Sequence, residues 1–121
     1  MDKAQYFYRT VIFTRQGDQV SLVDIDNPQE RTPLEGWMGI ALSLADGRHT
    51  LNELIDYIGS QYQTVPQGLA DTLDSVIERL LEGKMVKLSS KPIELPYYLS
   101  EPIELLDIER ARRLIGDDGY H

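Results

Sequence analysis

The chain has two histidines, His49 and His121, as its only imidazoles, and it has no cysteine. Disulfides, thiolate nucleophiles and thiolate metal sites are therefore excluded. His49 stands immediately before a helix-cap pattern, where solvent exposure is the default, so neither a ligand nor an acid–base role is expected of it. Asp24-x-Asp26 has a spacing that can hold a cation, but at the end of a hairpin a solvated carboxylate pair is the expectation. Asp117-Asp118 falls in the terminal tail. The serines lack a Gly-x-Ser-x-Gly context, and the nine glycines are dispersed at turns and helix ends instead of gathered into a phosphate loop. These residues predict a non-enzyme with no cofactor and no metal.

Charge narrows the partner. Twenty acidic and 12 basic side chains leave a formal net charge of −8 over 121 residues. Proteins that hold a duplex usually present clustered Lys and Arg. The one basic cluster, Arg110, Arg112 and Arg113, reads as the last turns of a helix complementing its dipole. A basic or neutral peptide is the better partner. No apolar run approaches the roughly 20 residues of a spanning helix, so no membrane role is expected. Met1 to Gln5 leads straight into an aromatic stretch without the pattern of a secretory signal, and the expected location is cytoplasmic.

Periodicity and turn residues set the elements that would position a binding site. Residues 6–15 are aromatic and β-branched and read as one strand; Gly17-Asp18 turns the chain into a second strand over 20–25. Asn27-Pro28 ends this hairpin. Residues 29–34 make a short third strand, confined to a sheet edge by Pro33, which has no amide hydrogen. The periodicity then changes to a mostly buried helix over 35–45, stopped by Asp46-Gly47. Thr50 to Glu53 is a capping box opening a second helix that runs to about Tyr62. Thr64-Val-Pro-Gln67 repeats the start signal for a third helix to Glu82, closed by Gly83. A strand follows at 85–88.

Past residue 90 the pattern differs. Residues 91–99 hold two prolines and must be extended. A helix is predicted from Pro102 to about Ile115, and 116–121 is a loose tail. The division is a domain over 1–90 and a C-terminal extension over 91–121.

In the third helix, Leu69, Leu73, Val76 and Leu80 form a stripe that Ala70, Ile77 and Leu81 widen to about 140°, more than the roughly 100° needed to pack on a small core. The excess has two readings: the extension's helix or the sheet covers that flank, or Ala70, Ile77 and Leu81 form one wall of a groove whose other wall is the edge strand 29–34. Such a groove takes an extended peptide by strand addition: backbone hydrogen bonds hold it while alternate side chains enter the apolar wall.

The segments Leu44-Ala-Asp-Gly-Arg-His-Thr-Leu-Asn-Glu-Leu-Ile55 and Ile77-Glu-Arg-Leu-Leu-Glu-Gly-Lys-Met-Val-Lys-Leu88 resemble the PqqD family. The resemblance spans about residues 6–90. It implies an α+β, winged-helix-like fold with an N-terminal antiparallel sheet and three helices. It also implies a peptide chaperone that binds the leader of a ribosomally made precursor peptide and presents it to a modifying enzyme, often a radical enzyme. By position, the docking strand corresponds to Glu30, Arg31, Thr32 and Leu34, and the helix wall to Ala70, Asp74, Ile77 and Leu81. Pro33 departs from the pattern by removing one backbone donor. The extension has no counterpart in the minimal unit, and its stretch 92–99 alternates well enough to fill the groove in cis or from a second copy. Two alternatives stand beside this reading. One is a structural or homodimerisation module closed by its own tail. The other is a winged-helix nucleic-acid regulator, disfavoured because Asp71, Asp74, Glu78 and Glu82 on the third helix face only Arg79 as a cation.

Overall fold

The computed structural model describes residues 2–64 and 66–118. The fold is mixed α+β, with two three-stranded antiparallel sheets. Where one strand was expected over 6–15, the chain forms β1 (Tyr6–Arg9) and β2 (Phe13–Gln16), which belong to different sheets. The cause lies in the run between them. Ile12, Phe13 and Thr14 are buried in succession, Ile12 in one apolar core and Phe13 in the other, which a strand with strict two-residue alternation cannot do.

β2 pairs with β3 (Gln19–Asp24), forming the expected hairpin around Gly17, which has a φ of +59°. β3 pairs with β4 (Asn27–Leu34), the expected third strand, which begins two residues earlier, at the Asn27-Pro28 that closes the hairpin. The order β2-β3-β4 makes β4 an edge strand, with Pro33 opposite Ser21. α1 (Gly36–Leu44) follows.

Asp46–Thr50, expected as a plain turn, is also a strand, β5, lying antiparallel to β1. Gly47 is left-handed, φ +79°, but it does not stop α1, which is capped two residues earlier at Ala45; what holds it is β5 and the chain beside it, since a Cβ there would meet the Ile93 carbonyl oxygen at 2.4 Å. The capping box forms as expected, with the Thr50 hydroxyl accepting from the Glu53 amide at 3.2 Å and the Glu53 carboxylate accepting from the Thr50 amide at 3.0 Å.

α2 (Leu51–Gly59) ends three residues short of Tyr62, whose ring stacks on Trp37 at a centroid distance of 6.0 Å. α3 (Leu69–Glu82) begins after Gly68, so the start signal at Thr64 is not used; its Val65 lies outside the described residues. Its closing residue also shifts by one. Gly83 has an ordinary helical φ of −77°, while Lys84 takes the left-handed conformation, φ +58°. The amides of Lys84 and Met85 bond back to the carbonyls of Leu81 and Leu80, the pattern of a Schellman closure. β6 (Val86–Ser89) completes the sheet β5-β1-β6.

The extension folds as α4 (Tyr97–Ser100), a single 3-10 turn at Ile103–Leu105, and α5 (Ile108–Asp118). The helix predicted from Pro102 to Ile115 is thus split, and it reaches into the segment expected as a loose tail; residues 119–121 lie outside the described residues. Two cores result. Phe13, Val20 and Leu34 face the larger one, with Phe7 and α1 to α3. On the opposite face of β2-β3-β4, Val23 joins Ile12 and Ile25 in a smaller core with Tyr98, Leu99, Ile103 and Ala111. The expected boundary at residue 90 therefore falls between two segments that share a core.

Candidate functional site

Residues 29–33 of β4 are exposed, while Leu34 turns into the larger core. Beside Glu30, Arg31 and Thr32 opens a cleft of about 790 Å³ between the β3–β4 end of the sheet and α5. Ile12, Val23, Ile25 and Ile115 supply its apolar surface, and Asp24, Asp26 and Arg112 its polar rim. The rim is organised by local bonds. Asp24 accepts from the Asp26 amide at 2.9 Å, the geometry of a turn. Arg112 donates to the Ile25 carbonyl at 3.1 Å and stands 3.7 Å from the Asp26 carboxylate. The Asp24-x-Asp26 pair thus closes a turn and meets an arginine. Among the described residues, no group of three or more His, Asp or Glu converges as a metal site would require.

The helix residues expected to face this strand lie elsewhere. Ile77 is 2% exposed and belongs to the larger core, and Leu81 is half-buried against the same core. Asp74 forms an ion pair with Lys3 at 3.1 Å. Ala70 is exposed at a separate cavity between the end of α2 and the start of α3. None of the four lines the cleft beside Glu30, Arg31 and Thr32; the helix that does is α5. The physical reason is that α3 packs on both α1 and α2, which uses its wide apolar arc inside the fold. Nor does the stretch 92–99 add a strand to β4. The Ile93 amide bonds to the Gly47 carbonyl at 2.8 Å on β5, and Tyr98 and Leu99 enter the smaller core.

His49 is exposed, with Nδ1 3.0 Å from the Asp46 carboxylate, which also accepts from the Arg48 amide. This arrangement stabilises the turn into α2 and aims at no cavity wall described above.

Two residues outside every sequence motif, Arg9 and Glu104, hold the extension in place. Arg9 is 2% exposed. Its guanidinium donates to the carbonyls of Leu42 (3.1 Å) and Ser43 (2.9 Å) at the end of α1, and to those of Leu99 and Ser100 (both 3.1 Å) at the end of α4. One planar fork thereby bridges carbonyls at the ends of two helices. Its carbon lies 4.7 Å from the centroid of the Phe13 ring. Burial pushes the Arg9 pKa down to about 10, against the opposing charges of Asp46 and Glu101, so it stays protonated at neutral pH. The alternation of β1 carried a signal for this: Phe7 and Arg9 point to the same, buried side.

Glu104 is the second. Its carboxylate accepts from the Thr14 hydroxyl and, at 3.0 Å, from the Arg15 amide, covering part of the free edge of β2. Burial alone would raise its pKa, but the hydrogen bonds from Thr14 and Arg15 outweigh it and hold the carboxyl below its ordinary range. Nothing local in the sequence marks Glu104. No family model, curated protein or solved structure matches the chain.

Proposed function

We propose that this protein is a non-catalytic peptide-binding domain that takes an extended segment by strand addition along β4. The observation that carries this reading is an eight-residue edge strand whose residues 29–33 are exposed beside an open, apolar-floored cleft. An edge strand offers an unpaired row of backbone groups, and a neighbouring cleft gives alternate side chains of the ligand a place to bury. Pro33 interrupts the row, and the stretch that lines the cleft, Glu30 to Thr32, lies just before it. In this reading α5, with Ile115 and Arg112, supplies the second wall. The resemblance of 44–55 and 77–88 to PqqD-like chaperones makes the leader of a precursor peptide the ligand, presented to a modifying enzyme.

The test uses peptides tiled across short reading frames adjacent to the gene, followed by backbone N-methylation of any binder, one position at a time. Strand addition removes binding at every second position, because only alternate amides of an added strand face its neighbour. Binding that is indifferent to N-methylation at all positions refutes the reading.

A further inference from the structure

A second surface has no assigned role in the fold. Large apolar side chains exposed to solvent are few: among the described residues they are Ile40 (43%), Tyr57 (53%), Tyr62 (41%) and Leu105. Three of these four gather on one side. Ile40 and Tyr57 line one open cavity of about 680 Å³ together with Leu44, and Tyr62 stacks on Trp37. Trp37, Ile40 and Leu44 are spaced three and four residues apart, so they form a ridge along one face of α1. That helix contains no charged residue at all, the composition of a helix covered on every side. Yet Trp37 and Leu44 are only half-buried, and Ile40 is exposed.

The charges around the ridge indicate what covers it. Asp18 and Glu35 line the same cavity, against Arg15 as its one cation. On α2, Glu53 stands one turn before Tyr57 on the same face. From Thr32 to Glu78 the chain carries Arg48 as its single Lys or Arg against seven carboxylates. A second copy of a −8 chain, a nucleic acid or an anionic bilayer would each meet this rim with the same sign of charge. We propose that the outer face of α1, with Tyr57 and Tyr62, is a docking surface for a basic amphipathic helix of a partner protein. Its apolar ridge packs against Trp37, Ile40 and Leu44, and its flanking cations meet Asp18 and Glu35. This surface shares no lining residue with the β4 cleft, so either reading can fail while the other stands.

Trp37 is the only tryptophan in the chain and borders the surface, which makes its emission a direct reporter. The probe is a synthetic amphipathic helical peptide with a leucine face flanked by lysines; the control carries glutamate in place of every lysine. The lysine peptide is expected to shift Trp37 emission to the blue and to weaken with added salt, with no response to the control. Ile40→Asp and Tyr57→Asp, both at exposed positions, are each expected to weaken binding at least about tenfold. Equal binding of the glutamate peptide, or full binding by both variants, overturns the proposal. So does a dimer of the full chain that Ile40→Asp dissociates, which would make the occupant a second copy. A Trp37 shift on phosphatidylserine vesicles that Ile40→Asp removes would assign the face to a membrane, with the same consequence.

Discussion

Replacing Arg9 by lysine is expected to be worse than replacing it by methionine, against the usual ranking of conservative changes. The guanidinium reaches four carbonyls on two helices from a 2% exposed site, which a lysine ammonium with three donors at one point cannot reproduce. Burial of the charge, which pushes the Arg9 pKa down to about 10, opposes folding by on the order of 3 kcal/mol. Methionine relieves that burden. It leaves the buried Leu99 carbonyl without the Arg9 donor, at about 1–3 kcal/mol. The Leu42 carbonyl keeps a second donor, the Ala45 amide. Arg9→Met should therefore change stability by no more than about 1–2 kcal/mol. Arg9→Lys keeps the buried charge and loses most of its acceptors, so a loss of about 2–4 kcal/mol is expected. Urea unfolding followed by Trp37 fluorescence measures both, with the slope checked for constancy. Lysine tolerated within about 0.5 kcal/mol, or methionine costing more than lysine, would refute the account of Arg9 as a fork spanning two helix ends.

Three further outcomes follow from the geometry. The Glu104 carboxyl is held below its ordinary 4.5 in the folded chain, so its contribution is complete above that value and is lost as pH falls through the lower folded value. The Arg15 amide resonance should titrate in that acid range, and Glu104→Gln should abolish the titration. Gly47→Ala combines a left-handed φ of +79° with a Cβ 2.4 Å from the Ile93 carbonyl oxygen, and should lower stability by about 2 kcal/mol or more; a neutral result would mean that 91–95 does not run against β5. Lys84→Gly, placed where Lys84 has a φ of +58°, should raise stability by about 0.5–1 kcal/mol, and a drop in the urea midpoint would contradict a Schellman closure at Lys84.

The features legible in the sequence are those whose partners lie within a few residues. The Thr50–Glu53 capping box closes over three residues and the β2–β3 turn at Gly17 over two, so residue identity suffices to read them. The wide apolar arc of α3 and the edge character that Pro33 imposes on residues 29–34 were legible too, because periodicity and a missing donor are properties of the chain itself. Tertiary structure alone decided what those features meet. α1 and α2 cover the flank of α3 that holds Ile77, and α5 takes the place beside Glu30 to Thr32. The strand expected over 6–15 divides because Ile12 and Phe13 answer to two different cores, the smaller of which is completed by Tyr98, Leu99, Ile103 and Ala111, more than 80 positions away. Arg9 shows the limit most plainly. Strand alternation places it on the buried side beside Phe7, but its carbonyl acceptors stand 33 and 90 residues along the chain, where only packing brings them within 3.1 Å.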